Sequence, residues 1–105
     1  MISYKIYISA KPTAIVRPSS LTVLRGGSVV LLCNTQTLKG TTVRWTSNNG
    51  SLPANYIANN THLILRRLTT DIIPICTVSN GAGQASANSS ITINGRKFYL
   101  EIHST

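Results

Sequence analysis

Acidic residues are nearly absent from this chain of 105 residues: Asp71 and Glu101 stand against ten lysines and arginines, for a formal net charge of +8. Nothing in the sequence pairs the two carboxylates, so general acid–base catalysis has no candidate couple. His62 and His103 lie far apart, and cysteine occurs only twice, so the ligand spacing of a zinc site is absent. No glycine-rich phosphate loop precedes a helical pattern. We therefore expect no enzymatic activity, no metal and no cofactor.

Long hydrophobic runs are also missing. No stretch approaches the ~20 apolar residues of a membrane-spanning helix, and we expect no membrane insertion. Residues 1–10 alternate polar and apolar side chains and lack the apolar centre of a signal peptide. Instead, short alternating or β-branched runs are separated by turn residues about every 8–12 positions, which is typical of an all-β sandwich. The length fits one domain.

These runs predict the strands and the domain limits. Strands are expected over 11–17, 21–24, 28–34, 42–47, twice within 56–68, around Cys76, and over 84–93. A domain over 11–95 contains them all, which leaves 1–10 and 96–105 as flanks or linkers. Both flanks alternate apolar residues as strands do, so pairing between molecules, and hence self-association, is the alternative to a linker role.

The lone tryptophan and the two cysteines each lie in an apolar run, with Trp45 12 positions and Cys76 43 positions after Cys33. This spacing resembles that of immunoglobulin-like sandwiches, in which a disulfide between the two sheets packs against a tryptophan. The resemblance implies a Cys33–Cys76 disulfide and a core that contains Trp45, Leu31 and Leu65. Such a bridge contributes about 4 kcal/mol on the chain-entropy model. It indicates an oxidising, extracellular setting, with the reduced intracellular domains of muscle proteins as the alternative.

Residues 19–93 resemble, more narrowly, an I-set immunoglobulin domain. Residues 76–83 are similar to the family's C-x-A-x-N-x-x-G motif, and residues 63–68 match its L-x-L-x-x-L motif. Residues 45–53 resemble the W-T-x-x-x-G-S-L-P segment of the immunoglobulin modules of perlecan-type basement-membrane heparan sulfate proteoglycans. The resemblance implies a Greek-key sandwich that belongs to a larger matrix or adhesion protein.

The sequence departs from the family pattern just before the second cysteine. Pro74 occupies the tyrosine-corner position, so the side-chain hydrogen bond of that corner cannot form. Proline has no N–H to donate, and we expect regular pairing of this strand to begin near Ile75. The corner that precedes this strand must then be held by other contacts.

On this topology five basic residues are expected to converge at one end of the sandwich: Arg25, Arg66, Arg67, Arg96 and Lys97. Arginine binds sulfate and carboxylate groups well, which makes heparan sulfate a candidate partner. No aromatic residue lies among these cations to stack bases, so nucleic acid is not expected. The alternative is a solvated basic surface with no specific ligand.

Three N-glycosylation sequons occur, at Asn49, Asn59 and Asn88. They are compatible with secretion, although chance alone would produce about two. The sequence thus predicts a non-catalytic extracellular module of a matrix or adhesion protein that binds proteins and glycosaminoglycan. The alternative is a cell-surface adhesion or receptor domain. It would bind a like domain or another protein through the strands predicted over 42–47, around Cys76 and over 84–93, which correspond to strands C, F and G of the immunoglobulin fold.

Overall fold

A computed structural model of the chain describes residues 11–35 and 40–94. The flanks predicted over 1–10 and 96–105 lie outside these residues. The described part forms nine strands and no helix: β1 (Ile15–Arg17), β2 (Ser20–Leu24), β3 (Val29–Asn34), β4 (Thr42–Ser47), β5 (Ile57–Asn59), β6 (His62–Leu65), β7 (Pro74–Asn80), β8 (Gly83–Asn88) and β9 (Ser90–Asn94).

The strands form the two layers of a sandwich. One layer is a four-stranded antiparallel sheet in the order β1-β3-β6-β5. The other contains the antiparallel order β4-β7-β8, and β9 follows β8 directly to pair in parallel with β2. The first predicted strand, over 11–17, therefore forms β1 in the four-stranded layer. The chain then crosses to the other layer, where it forms β2.

Two predicted strands are shorter or more broken than expected. The segment 11–17 forms a strand only over its last three residues, and the segment 84–93 divides at Ser89. Ser89 is fully buried and its hydroxyl donates to the carbonyl oxygen of Pro18 at 2.7 Å. Its backbone N–H donates to the carbonyl oxygen of Pro74 at 3.1 Å. The buried Ser89, which lies between β8 and β9, is thus hydrogen-bonded to Pro18, which lies between β1 and β2.

The core lies between the layers and is closed by the disulfide. Cys33 on β3 and Cys76 on β7 are bonded, with 6.4 Å between their Cα atoms. Trp45 lies opposite Cys76 in the β4–β7 register and is 8% exposed. Leu31 and Leu65 are fully buried on the facing sheet. These features confirm the predicted immunoglobulin-like β-sandwich with one disulfide between its sheets.

The corner that leads into β7 is held by backbone pairing. Ile72 exchanges two hydrogen bonds with Ile91, at 3.1 and 3.0 Å. β7 begins at Pro74, opposite Ser47, one residue earlier than expected. Proline is tolerated there because it is the first residue of the strand. Its carbonyl oxygen still accepts the hydrogen bond from Ser89.

Candidate functional site: the basic pole

Backbone hydrogen bonds bring the turn before β3 to the segment after β6. The N–H of Gly26 donates to the carbonyl oxygen of Leu68 at 2.6 Å, and the N–H of Leu68 donates to that of Gly27 at 3.0 Å. Arg25 therefore lies at the same end of the sandwich as Arg66 and Arg67. We call these three residues the basic pole.

The last residue of β9 belongs to this end as well. Leu24 pairs with Asn94 in the parallel β2–β9 register, so β9 ends beside the turn that carries Arg25. Arg96 and Lys97 follow in the chain but lie outside the described residues. Their place at the basic pole stays a prediction.

Arg66 and Arg67 line one cleft although they are adjacent in the chain. Consecutive side chains of a strand point to opposite faces. Arg66 and Arg67 follow Leu65, the last residue of β6, and so lie outside that alternation. Arg67 has a φ of 53°, in the left-handed region. Both arginines contribute to an open cleft of about 340 Å³, whose other lining residues are Ala54, Asn55, Tyr56 and Ile57. Asn55 and Tyr56 could not be identified from the sequence, because only the β5–β6 pairing brings them beside the arginines.

One acid also lies at this end of the sandwich. Asp71 Oδ1 accepts a hydrogen bond from the N–H of Ile93 at 2.7 Å. The Asp71 side chain lines a second cleft, of about 280 Å³, together with Asn49 and Thr70. A negative charge therefore offsets part of the positive charge of the pole, which the sequence analysis did not anticipate.

The chemistry available at the pole is ionic recognition. A guanidinium group presents donors in a planar fork that matches sulfate and carboxylate groups, and paired forks add their contributions. Across residues 11–35 and 40–94, no cluster of three or more His, Cys, Asp or Glu side chains could hold a metal ion. In the same residues no helix is long and apolar enough to cross a membrane.

The outer face of β4, β7 and β8 is rich in hydroxyl groups. The hydroxyls of Thr42 and Ser79 lie 3.2 Å apart, and those of Thr77 and Ser86 lie 3.0 Å apart. Arg44 lies opposite Thr77 and is exposed. This is the face that the adhesion alternative would use, and it is polar.

The three sequon asparagines are exposed at the ends of strands. Asn49 follows β4 in a turn, Asn59 is the last residue of β5, and Asn88 is the last residue of β8. Asn59 Oδ1 accepts a hydrogen bond from the N–H of His62 at 3.3 Å. Their glycosylation stays a prediction.

Solved structures with a similar fold include a nectin-like ectodomain, a titin complex and Sidekick-1 domains. The ectodomain of mouse nectin-like molecule 4 is 24% identical, with a TM-score of 0.70 over 83% of this chain and 31% of that ectodomain. A chain from the complex of titin M10 with an obscurin-like 1 immunoglobulin domain is 21% identical, with a TM-score of 0.66 over 83% of this chain and 97% of the other. Immunoglobulin domains 1–5 of Sidekick-1 are 19% identical, with a TM-score of 0.66 over 82% of this chain and 20% of theirs.

The chain therefore spans about a third of the nectin-like ectodomain. No family model and no curated protein matches the sequence significantly. At these identities the solved structures show the fold alone. The chain is an immunoglobulin-like β-sandwich domain.

Proposed function

We propose that this domain is a non-catalytic extracellular binding module of a matrix or adhesion protein, and that its basic pole binds heparan sulfate. The observation that carries the proposal is the backbone pairing of Gly26 and Gly27 with Leu68, which joins the turn that carries Arg25 to the segment of Arg66 and Arg67. Heparan sulfate offers closely spaced sulfates and carboxylates. Three guanidinium groups at one end of a domain can each form charge-assisted hydrogen bonds with such groups.

The extracellular setting is proposed from the Cys33–Cys76 disulfide, since such bonds persist in oxidising compartments. Residues 45–53, with their likeness to perlecan-type modules, favour a matrix protein. The likeness in fold to a nectin-like ectodomain and to Sidekick-1 supports the alternative, a cell-surface adhesion or receptor domain. In both cases the domain binds proteins.

The heparan sulfate proposal is tested by comparing elution from heparin resin with elution from a sulfonate cation exchanger. The test variant is Arg66→Ser/Arg67→Ser. The control variant, Arg17→Ser/Arg44→Ser, has the same net charge but loses exposed arginines of β1 and β4 that lie away from the pole. The unmodified domain is expected to need clearly more salt on heparin than on the exchanger.

The excess salt should disappear in the test variant and persist in the control, because each lost charge-assisted contact weakens binding roughly 10-fold. Equal elution of the unmodified domain from both resins would mean that the charge acts without a shaped site. Equal losses in both double variants would lead to the same conclusion.

A further inference from the structure

The outer face of the four-stranded sheet carries an apolar row. Val30 on β3 lies directly opposite Ile64 on β6, which in turn lies opposite Ile57 on β5. Directly opposite residues in antiparallel strands have Cβ atoms about 4.5–5.5 Å apart, so the three side chains form one continuous strip. Val30 is 57% exposed and Ile57 is 44% exposed.

Two further apolar residues extend this strip. Leu32 lies on the same face of β3, two residues after Val30, and is half-buried. Ile15 on β1 lies opposite Asn34, next to Leu32, and is 50% exposed. Outward faces of antiparallel sheets are usually polar, and a contiguous apolar area on such a face marks an interaction site.

The outer face of the other sheet is polar, so the apolar row does not follow from the amino-acid composition of the domain. The outward residues of β4, β7 and β8 include Thr42, Thr77, Ser79 and Ser86. The two outer faces of the domain thus differ in polarity. The four-stranded sheet carries the apolar row, and the polar residues His62, Asn59 and Asn34 lie beside it on the same face.

Positive charge lies at both ends of the apolar strip. Arg17 on β1 lies opposite Leu32 and shares its face. At the other end, Arg66 and Arg67 line the cleft that also contains Ile57 and Tyr56. The described residues of these four strands include no acid.

We propose that this face docks a protein partner whose apolar side chains cover the strip and whose carboxylates meet Arg17 at one end and the Arg66–Arg67 cleft at the other. The inference rests on the proposed role as a protein-binding module and names the surface and the chemistry of the partner. A second copy of this chain, which carries +8, would set arginines against arginines. A sulfated polysaccharide would satisfy the arginines but has no apolar groups to cover the strip.

The probe is a random 12-residue peptide library displayed on phage and selected on the immobilised full chain. An enriched peptide is then synthesised and titrated into the ¹⁵N-labelled domain. We expect enriched sequences that combine apolar residues with Asp or Glu. The largest amide shift changes should map to Val30, Ile57, Ile64 and Arg17.

Matched variants test whether affinity for the peptide depends on the outer face of the four-stranded sheet or on another part of the domain. Val30→Thr/Ile64→Thr keeps β-branched side chains in exposed or half-buried positions, so the fold is retained while affinity for the peptide falls roughly 10-fold. The reverse exchange on the other sheet, Thr42→Val/Thr77→Val, should leave the affinity unchanged. Arg17→Gln should weaken binding and reduce its dependence on salt.

Several results would overturn the docking proposal. These are the absence of any enriched peptide, shifts that map to the β4-β7-β8 face, or equal losses in the two Val/Thr double variants. A light-scattering mass above that of one chain, restored to one chain by Val30→Thr/Ile64→Thr, would assign the face to a second copy instead. Val30→Thr/Ile64→Thr should elute from heparin at the same salt concentration as the unmodified domain. A failure of the heparan sulfate proposal can therefore be distinguished from a failure of the docking proposal.

Discussion

At the scale of single residues, Arg67 combines a strained backbone conformation with a place in the proposed binding cleft. A non-glycine residue in the left-handed region costs on the order of 1 kcal/mol. Arg67 adopts that region with a φ of 53°, at the point where the chain leaves β6. Arg66 and Arg67 both line the cleft at the basic pole. A strained residue thus lies in the cleft that we propose for heparan sulfate binding.

Replacing Arg67 by glycine is expected to separate stability from binding. Arg67→Gly removes the strain, so the free energy of unfolding in urea should stay unchanged or rise by up to about 1 kcal/mol. Retention on heparin should fall at the same time, because a guanidinium group of the basic pole is lost.

Arg66→Gly is the matched control, since Arg66 has no positive φ. It loses the same charge and should lower the free energy of unfolding by roughly 0.5–1 kcal/mol. If both variants were destabilised equally, the backbone of Arg67 would carry no strain.

At the scale of elements, the turn between β2 and β3 determines where Arg25 lies. The N–H of Gly27 donates to the carbonyl oxygen of Leu24 at 2.8 Å, which closes the turn. A Cβ atom on Gly27 would lie 2.6 Å from Val23 Cγ1 and 2.9 Å from the Leu24 carbonyl oxygen. The second of these atoms belongs to the backbone and can move only with the strand. The turn therefore requires glycine at this position.

Gly27→Ala is expected to lower the free energy of unfolding by about 1–3 kcal/mol, since the added methyl group forces the turn apart. Elution from heparin should also move to lower salt, because the turn carries Arg25 and contacts the segment of Arg66 and Arg67 through Leu68. Urea unfolding and heparin elution would measure the two effects.

The control for this change is Gly81→Ala, which adds the same methyl group in open space. Its free energy of unfolding should stay within about 0.5 kcal/mol of that of the unmodified domain. A Gly27→Ala variant as stable as this control would contradict the close approach to Leu24.

At the scale of the whole molecule, the disulfide is a covalent cross-link between the two sheets. It joins β3 to β7 across a separation of 43 residues, and both cysteines are fully buried. Closing a loop of this length lowers the entropy of the unfolded chain, which stabilises the folded state. A domain of this size is stable by only about 5–15 kcal/mol, so the bond is a large share of the total.

Cys33→Ala/Cys76→Ala is expected to lose about 4 kcal/mol of unfolding free energy, within the usual range of about 2–5 kcal/mol for native bridges. Urea unfolding followed by Trp45 fluorescence measures the loss, because this buried tryptophan becomes exposed on unfolding. The chemically reduced unmodified domain should lose a similar amount. An unchanged midpoint in both would mean that the bridge does not stabilise this fold.

The fold class could be predicted from the sequence by itself. Alternating apolar residues and turn glycines express the preferences of neighbouring residues and place the strands. The spacing of Cys33, Trp45 and Cys76 resembles that of immunoglobulin-like sandwiches, and this resemblance implied the core. The pairing of Ile72 with Ile91 that replaces the tyrosine corner could not be identified in this way. Neither could the contact between Asp71 and Ile93.

The surfaces of the domain were decided only by tertiary structure. The run over residues 29–33 is apolar throughout, so its period does not reveal that Val30 faces solvent while Val29 and Leu31 are buried. The strand register decides that question, and it also places Ile64 and Ile57 beside Val30. The register is set by the packing of the inner faces of the two sheets against each other. This packing involves residues that are far apart in the chain. For this physical reason the candidate binding surfaces depend on packing, although the strands that form them could be predicted.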